Sequence, residues 1–287
     1  MRRSLFIGGT LAAIAMPRAA DAAIPLADLI ATIPGTTSVY VRTMDERAPL
    51  ASVRVNEPFS AASTIKLAIM LTAYKAYESG TATPHTLVKV NPGDLVGGSP
   101  SLGYARIGQR YPLAFLIKAM IQQSDNGASN MLISHFGFAK INENIQAAGM
   151  TRTKLARHFL DYLAIVKHNE NVTTAHDLGE LVHALERGAR EGIDTVASVA
   201  SCRSMIAVML GQEDRTKIPR GLPAGIAIAN KTGEIDGVRN DVAIVDPAGE
   251  IPYILVVLTK GLRNEGAGNA GIAAISRRVY TRLHAAS

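Results

Sequence analysis

IAIANKTGEIDGVRNDVAIVDPAGEIPYILVVLT, residues 226–259, decides the fold. It reads as three strands, Ile226–Lys231, Asp241–Val245 and Pro252–Thr259, rich in β-branched and aliphatic residues. Far upstream the alternation Ser38-Val39-Tyr40-Val41-Arg42 and a short run near Ala51–Val55 add strand texture after a short helix over 24–34. Between these ends, from Ser60 to about Met209, the pattern is helical. Apolar residues recur at three-four spacing over Ala62–Tyr77, Leu113–Ile121, Ser129–Phe136 and Ala175–Leu185. An Ala-rich helix, Gly268–His284, closes the chain. Strands at both ends around a helical middle imply an α+β fold, an α/β/α sandwich. Its antiparallel sheet is built from both chain ends, with an all-helical subdomain inserted. The expected division is one domain over 23–287, with sheet parts 23–58 and 212–287 and a helical part 59–211.

Residues 1–22 read as an export signal. Arg2 and Arg3 form the charged region, Leu5–Met16 the apolar stretch, and Ala20-Asp21-Ala22 a small-x-small cleavage site. Twelve helical residues rise about 18 Å, short of a hydrocarbon core of about 30 Å, so the segment is expected to be removed. The chain is then periplasmic or secreted, with no membrane contact after processing. Arg-Arg-Ser-Leu-Phe, Gly8-Gly9 and Arg18 fit the twin-arginine route, and an ordinary signal opening on two arginines fits equally.

Cleavage there leaves 265 residues with a formal net charge of +4. No Lys/Arg run interleaved with aromatics appears, which argues against nucleic acid as a partner. A chain with no Trp, eight Tyr and six Phe argues against a saccharide-stacking site. Cys202 is the only cysteine, so no internal disulfide forms, and its Ala/Ser/Val-rich surroundings suit a buried thiol. The seven His show no metal-ligand spacing, so neither metal nor cofactor is assigned. A monomer is expected.

Three strings carry chemistry: Ser63-Thr64-Ile65-Lys66, Ser124-Asp125-Asn126 and Lys231-Thr232-Gly233. Singly each is weak, since an S-x-x-K arises by chance roughly once in a chain this long. Ser63 with Lys66 suits a helix cap and a solvated lysine just as well. Ser-Asp-Asn favours caps, and Asp125 is expected to cap backbone amides. Lys231-Thr232-Gly233, at the end of a strand, could be a plain turn. In this order they supply more. Ser63 is a nucleophilic hydroxyl at a helix start, and Lys66 is a base one turn on. Ser124 is a second hydroxyl to relay a proton, and Lys231 a cation beside a strand edge. Desolvation by Ile65 and Leu67 would ease loss of the Lys66 proton.

These residues strongly resemble the class A serine β-lactamases and their penicillin-binding relatives, over Phe59–Gly80, Leu116–Leu132, Thr151–Leu185 and Ile226–Gly261. The spacings fit: 61 residues from Ser63 to Ser124 and 107 from Ser124 to Lys231. The resemblance implies that Ser63 is acylated, Lys66 is its base and Ser124 the shuttle, assisted by Lys231. Asn126 and Thr232 then hold substrate, and Glu234 gives its backbone N–H to the oxyanion hole. Arg239 resembles the residue that steadies the substrate carboxylate, and an ion pair with Asp241 or Asp236 is the other reading. The implied partner is a small β-lactam or a D-Ala-D-Ala-like peptide.

One departure matters more than the matches. The family follows an Ω-loop Arg, two positions on, with a catalytic Glu and then, four further, with an Asn. Aligned on Thr153-Lys154-Leu155-Ala156-Arg157, those positions hold Phe159 and Leu163. Asp161 is the nearest carboxylate and a candidate deacylation base, or else an Arg157 partner; His158 is a weaker candidate. Fast turnover would point instead to another carboxylate such as Glu170. Three functions therefore stand: a β-lactam hydrolase with slow deacylation, a D-Ala-D-Ala peptidase or other amidase/esterase, and a non-turnover penicillin-binding protein.

Overall fold

The computed structural model describes residues 23–45 and 48–285; the export-signal reading of residues 1–22 lies outside them. Helix α1 (Ala27–Ala31) leads into strands β1 (Thr36–Thr43) and β2 (Ala51–Val53). The chain returns to this sheet only after Ile228, with β7 (Ile228–Ile235), β8 (Val238–Val245) and β9 (Tyr253–Lys260). The five strands run antiparallel in the order β2-β1-β9-β8-β7. β1 and β9 pair from Thr36↔Lys260 to Thr43↔Tyr253, so the two chain ends zip together at the centre.

Both faces of the sheet are covered, which is why β9 is an unbroken apolar run and not an alternating one. Tyr40, Val242, Ile244, Ile254, Val256 and Leu258 face one core. It is shared with α2 (Lys66–Glu78), α3 (Leu113–Gln122), α4 (Asn126–Phe136), α5 (Phe138–Ala147), α7 (Ala175–Glu191) and α8 (Val199–Leu210). Val39, Val41, Ala243, Val245, Tyr253, Leu255 and Val257 face the other, against α9 (Glu265–His284) and residues flanking α1. Helix α7 lies directly on the sheet: a Cβ on Gly179 would come within 2.6 Å of the Tyr40 ring. Cys202 is buried in α8.

Small ladders position the loops. β3 (Phe59–Ser60) pairs with β6 (Val172–Thr173), and β4 (Leu87–Lys89) with β5 (Arg110–Pro112). A short α6 (Tyr162–Val166) interrupts the loop before β6. Two expectations are corrected. β7 does not stop at Lys231 but runs on through Thr232-Gly233 to Ile235, turning at Asp236-Gly237 with Gly237 at φ +70°. β2 ends at Val53, short of Val55. No described helix is long and apolar enough to cross a membrane.

Candidate active site

Ser63 lies in a 3-10 turn, Ala62–Ile65, and Lys66 opens α2. Ala62 takes φ 45°, a left-handed conformation rare for a residue with a Cβ, and so sharpens the entry to the turn. Strand β7 presses against this turn at Gly233, where a Cβ would stand 3.0 Å from the Ala61 carbonyl and 3.1 Å from the Ser63 nitrogen. The missing side chain lets the turn carrying Ser63 approach the strand closely. Asn240 Nδ2, one strand further in, donates to the Ser60 carbonyl at 2.9 Å. Ser63 keeps 9% of its surface exposed. It lines a cavity of about 930 Å³ with Ser124, Asn126, Thr232, Phe159 and Glu170.

Ser124 occupies the junction between α3 and α4 with φ 57°, and the buried Asp125 holds that junction. Asp125 Oδ1 accepts the Ala128 N–H at 2.8 Å, and Oδ2 accepts those of Ser101 and Leu102 at 2.9 and 3.1 Å. The capping role expected of it is what the geometry shows. So held, Ser124 Oγ accepts from Lys66 Nζ at 3.2 Å and from Lys231 Nζ at 3.1 Å. Lys66 also donates to the Ser124 carbonyl at 2.7 Å and to Asn126 Oδ1 at 2.9 Å; Ser63 is not among its partners. Asn126 Nδ2 donates to the Gly97 carbonyl at 3.1 Å, which fixes the amide.

Both lysines are fully buried. Burial, reinforced by the Lys231 charge, holds Lys66 well below the ordinary lysine range, with Asp125 opposing. Burial pushes Lys231 down to about 7, opposed by Asp241 and Asp214. Asp241 is itself pushed up to about 6 by burial; it accepts from Asn230 Nδ2 and the Ile218 N–H, each at 3.0 Å. Lys66 therefore suits the part of a neutral amine that takes a proton.

The structure also brings in a cation that sequence reasoning missed. Lys217 Nζ, fully buried, meets Asp214 Oδ2 and Glu234 Oε1, each at 2.5 Å. Asp214 lies only three residues before Lys217, but Glu234, on β7, arrives through tertiary folding and leaves no signal in the local sequence. Glu234 lines the cavity and Arg239 does not. Arg239 turns to the Glu265 carboxylate at the start of α9 and donates to the Ile235 and Val238 carbonyls at 3.0 and 2.7 Å. Its acidic neighbours are thus Glu265 and, at 3.6 Å, Glu234, not Asp241 or Asp236.

The loop from Arg157 to Asn171 forms the remaining wall. Buried Asn130 grips Phe159 from both sides, accepting its N–H at 2.8 Å and donating to its carbonyl at 3.2 Å. The Phe159 ring consequently lies under Lys66 Nζ, 4.3 Å from ring centre to nitrogen. Leu163 points outward, 76% exposed. Asp161 caps α6, its Oδ1 accepting the Ala164 N–H at 3.0 Å, and it is not part of the cavity wall. His158 packs edge-on against Phe138. Arg157 pairs with Glu170, not Asp161: its Nε and Nη2 reach Glu170 Oε1 at 3.1 and 2.8 Å.

The structure thus sets Ser124 between two buried lysines, in one cavity with Ser63. Residues 22–283 match the family model described as the beta-lactamase enzyme family. The chain belongs to that family. It is a class A-like serine β-lactamase by its relatives. Beta-lactamase OXY-1 from Klebsiella oxytoca is 28% identical over 89% of this chain and 87% of its own. Among solved structures, PBP-A, captured in one variant as an acyl-enzyme complex with penicillin G, superposes with a TM-score of 0.80. It is 28% identical over 90% of this enzyme and 94% of that chain. A beta-lactamase from Sphaerobacter thermophilus gives 0.78 at 28% identity, over 90% and 95%. The antiparallel sheet and helical layers of the enzyme are thus those of its relatives.

Proposed function

We propose that the enzyme opens β-lactams by acylation of Ser63 and releases the product by slow hydrolysis of that ester. The observation carrying this reading is the bridge Lys66–Ser124–Lys231, two buried lysine amines converging on one hydroxyl that shares a cavity with Ser63. In acylation, Ser63 Oγ attacks the lactam carbonyl while its proton passes to the Lys66 amine. The tetrahedral intermediate collapses by breaking the C–N bond. The departing nitrogen takes its proton from Ser124, which is resupplied from Lys66. Lys231 lowers the proton affinity of Ser124, and Asn126 and Thr232 hold the substrate. The backbone N–H groups of Ser63 and Glu234 face the oxyanion. Export to the periplasm and a monomeric state complete the reading.

A second reading, a D-Ala-D-Ala peptidase or a penicillin-binding protein that stays acylated, is favoured by one observation. Phe159 and Leu163 stand where the family places its base and water-holding amide, and PBP-A is a structural relative. Intact-protein mass spectrometry after mixing with a penicillin separates the two. One adduct on Ser63, lost within minutes, supports hydrolysis; an adduct stable for hours supports the second reading. A folded Ser63→Ala variant that still forms the adduct would refute both.

A further inference from the structure

We infer that Glu170 is the general base that activates the deacylating water, in the place of the glutamate that the loop lacks. The inference rests on the acylation of Ser63 proposed above. Four observations carry it. First, Glu170 and Ser63 line the same cavity, whereas Asp161 does not. Second, the β3–β6 ladder pairs Phe59 with Thr173 and Ser60 with Val172, and the Ala61 N–H continues it to the Asn171 carbonyl at 2.8 Å. Glu170 directly precedes Asn171, and Ala62, which directly follows Ala61, lines the same cavity as Glu170 and Ser63. Third, the carboxylate is oriented. Oε1 accepts from Arg157 Nε and Nη2 and from the Asn171 N–H at 2.7 Å, and Oε2 takes part in none of these bonds. Fourth, the other acidic residues of the cavity wall, Glu213, Asp214, Glu234 and Asp236, come from the β7 side and the segment after α8. Glu170 is the one supplied by the loop facing them.

In the step assigned to it, a water oxygen attacks the ester carbonyl of acylated Ser63 while its proton passes to Glu170 Oε2. The carbonyl electron pair moves onto oxygen. Collapse then breaks the bond to Ser63 Oγ, which takes up the proton that Glu170 accepted, relayed through the Lys66 amine. The products are the free acid, the serine hydroxyl and the regenerated carboxylate, with no other reactant.

The experiment follows the penicillin adduct by mass spectrometry in wild type, Glu170→Gln, Glu170→Asp and Asp161→Asn. The glutamine keeps acceptor and donor atoms at the loop neck but cannot take a proton. Glu170→Gln should acylate with the wild-type burst and lengthen the adduct lifetime by about 10²-fold or more, the usual contribution of a positioned base. Asp161→Asn should keep the wild-type lifetime. Should the glutamine variant fail to fold, Glu170→Asp retains the charge beside Arg157 and should still slow deacylation. A lifetime within about twofold of wild type in the folded glutamine variant, or failing that in the aspartate variant, overturns the assignment and leaves acylation standing. Absence of any adduct in the wild type overturns both.

Discussion

At the level of single residues, the site is governed by how little water its cations see. Lys231 has an ordinary lysine's charge only up to about pH 7, because burial outweighs the Asp241 and Asp214 charges near it. Its place, 3.1 Å from Ser124 Oγ, makes it a charge for polarising that hydroxyl. Lys231→Ala is therefore expected to slow acylation by about 10²-fold or more, as for other preorganised charges, and Lys231→Arg by much less. Arginine stays ionised, so the variant should also lose a fall in acylation rate that the wild type shows as pH rises through about 7. Stopped-flow labelling with a fluorescent penicillin measures both. Equal rates in the alanine variant and wild type would reduce Lys231 to a strand residue. That Ser63, Lys66, Ser124 and Lys231 belong together was legible in the sequence, because each sits in a short string with a characteristic local setting. The surroundings of Arg239 and Glu170 were not. Glu265, which claims Arg239, lies on α9, and Glu170 reaches the cavity only through the β3–β6 register. Neither partnership leaves a local signature.

At the level of elements, the β7–β8 hairpin is the clearest case of sequence and structure diverging. Gly233-Glu234-Ile235-Asp236-Gly237 has the composition of a loop, yet only Asp236-Gly237 turns. Glu234 and Ile235 stay paired with Arg239 and Val238. A two-residue Asp-Gly connection matches the twist of the strands it joins, so pairing persists to the tip. That extension keeps Lys231, Thr232 and Gly233 in one rigid strand against the nucleophile's turn. The close approach predicts a sharp response to the smallest change. Gly233→Ala would place a methyl 3.0 Å from the Ala61 carbonyl and 3.1 Å from the Ser63 nitrogen, both backbone atoms that cannot swing aside. Strand and turn must separate, so acylation should fall by at least about tenfold, with a loss of about 1–3 kcal/mol of stability as for other overpacked sites. Urea unfolding and labelling kinetics test the two together. Wild-type values in both would mean that the strand is free to shift.

Over the whole molecule, the sheet is buried on both faces and titratable groups lie deep within the layers. Glu186 on α7 is 1% exposed, and burial raises its carboxyl to about 7, with Arg190 opposing. The folded enzyme thus holds this proton between about pH 4.5 and 7 while the unfolded chain releases it. Stability from this group falls as pH rises through that window and stays low above it. Neighbouring His183, pushed down to about 4 by burial, acts in the opposite sense over an overlapping range. The wild-type curve therefore blends the two, and a variant is needed to separate them. Glu186→Gln should gain about 2 kcal/mol on wild type between pH 5 and pH 8. Thermal unfolding at the two pH values measures this, and a constant offset between the proteins would place Glu186 outside the account.

The zipping of β1 onto β9 has a temporal consequence. Thr36 cannot meet Lys260 until nearly the whole chain has been made, and pairing across so long a loop is slow compared with local helix formation. Ser63, Lys66 and Ser124 all lie between residues 62 and 126, among helices α2 to α4, whereas Lys231 comes into place on a hairpin that needs β9 as its neighbour. Half the chemical apparatus is thus local and early, half distant and late. A chain interrupted before residue 253 would hold Ser63, Lys66 and Ser124 but no finished strand to set Lys231 against them, so the complete cluster arrives with the last stage of folding.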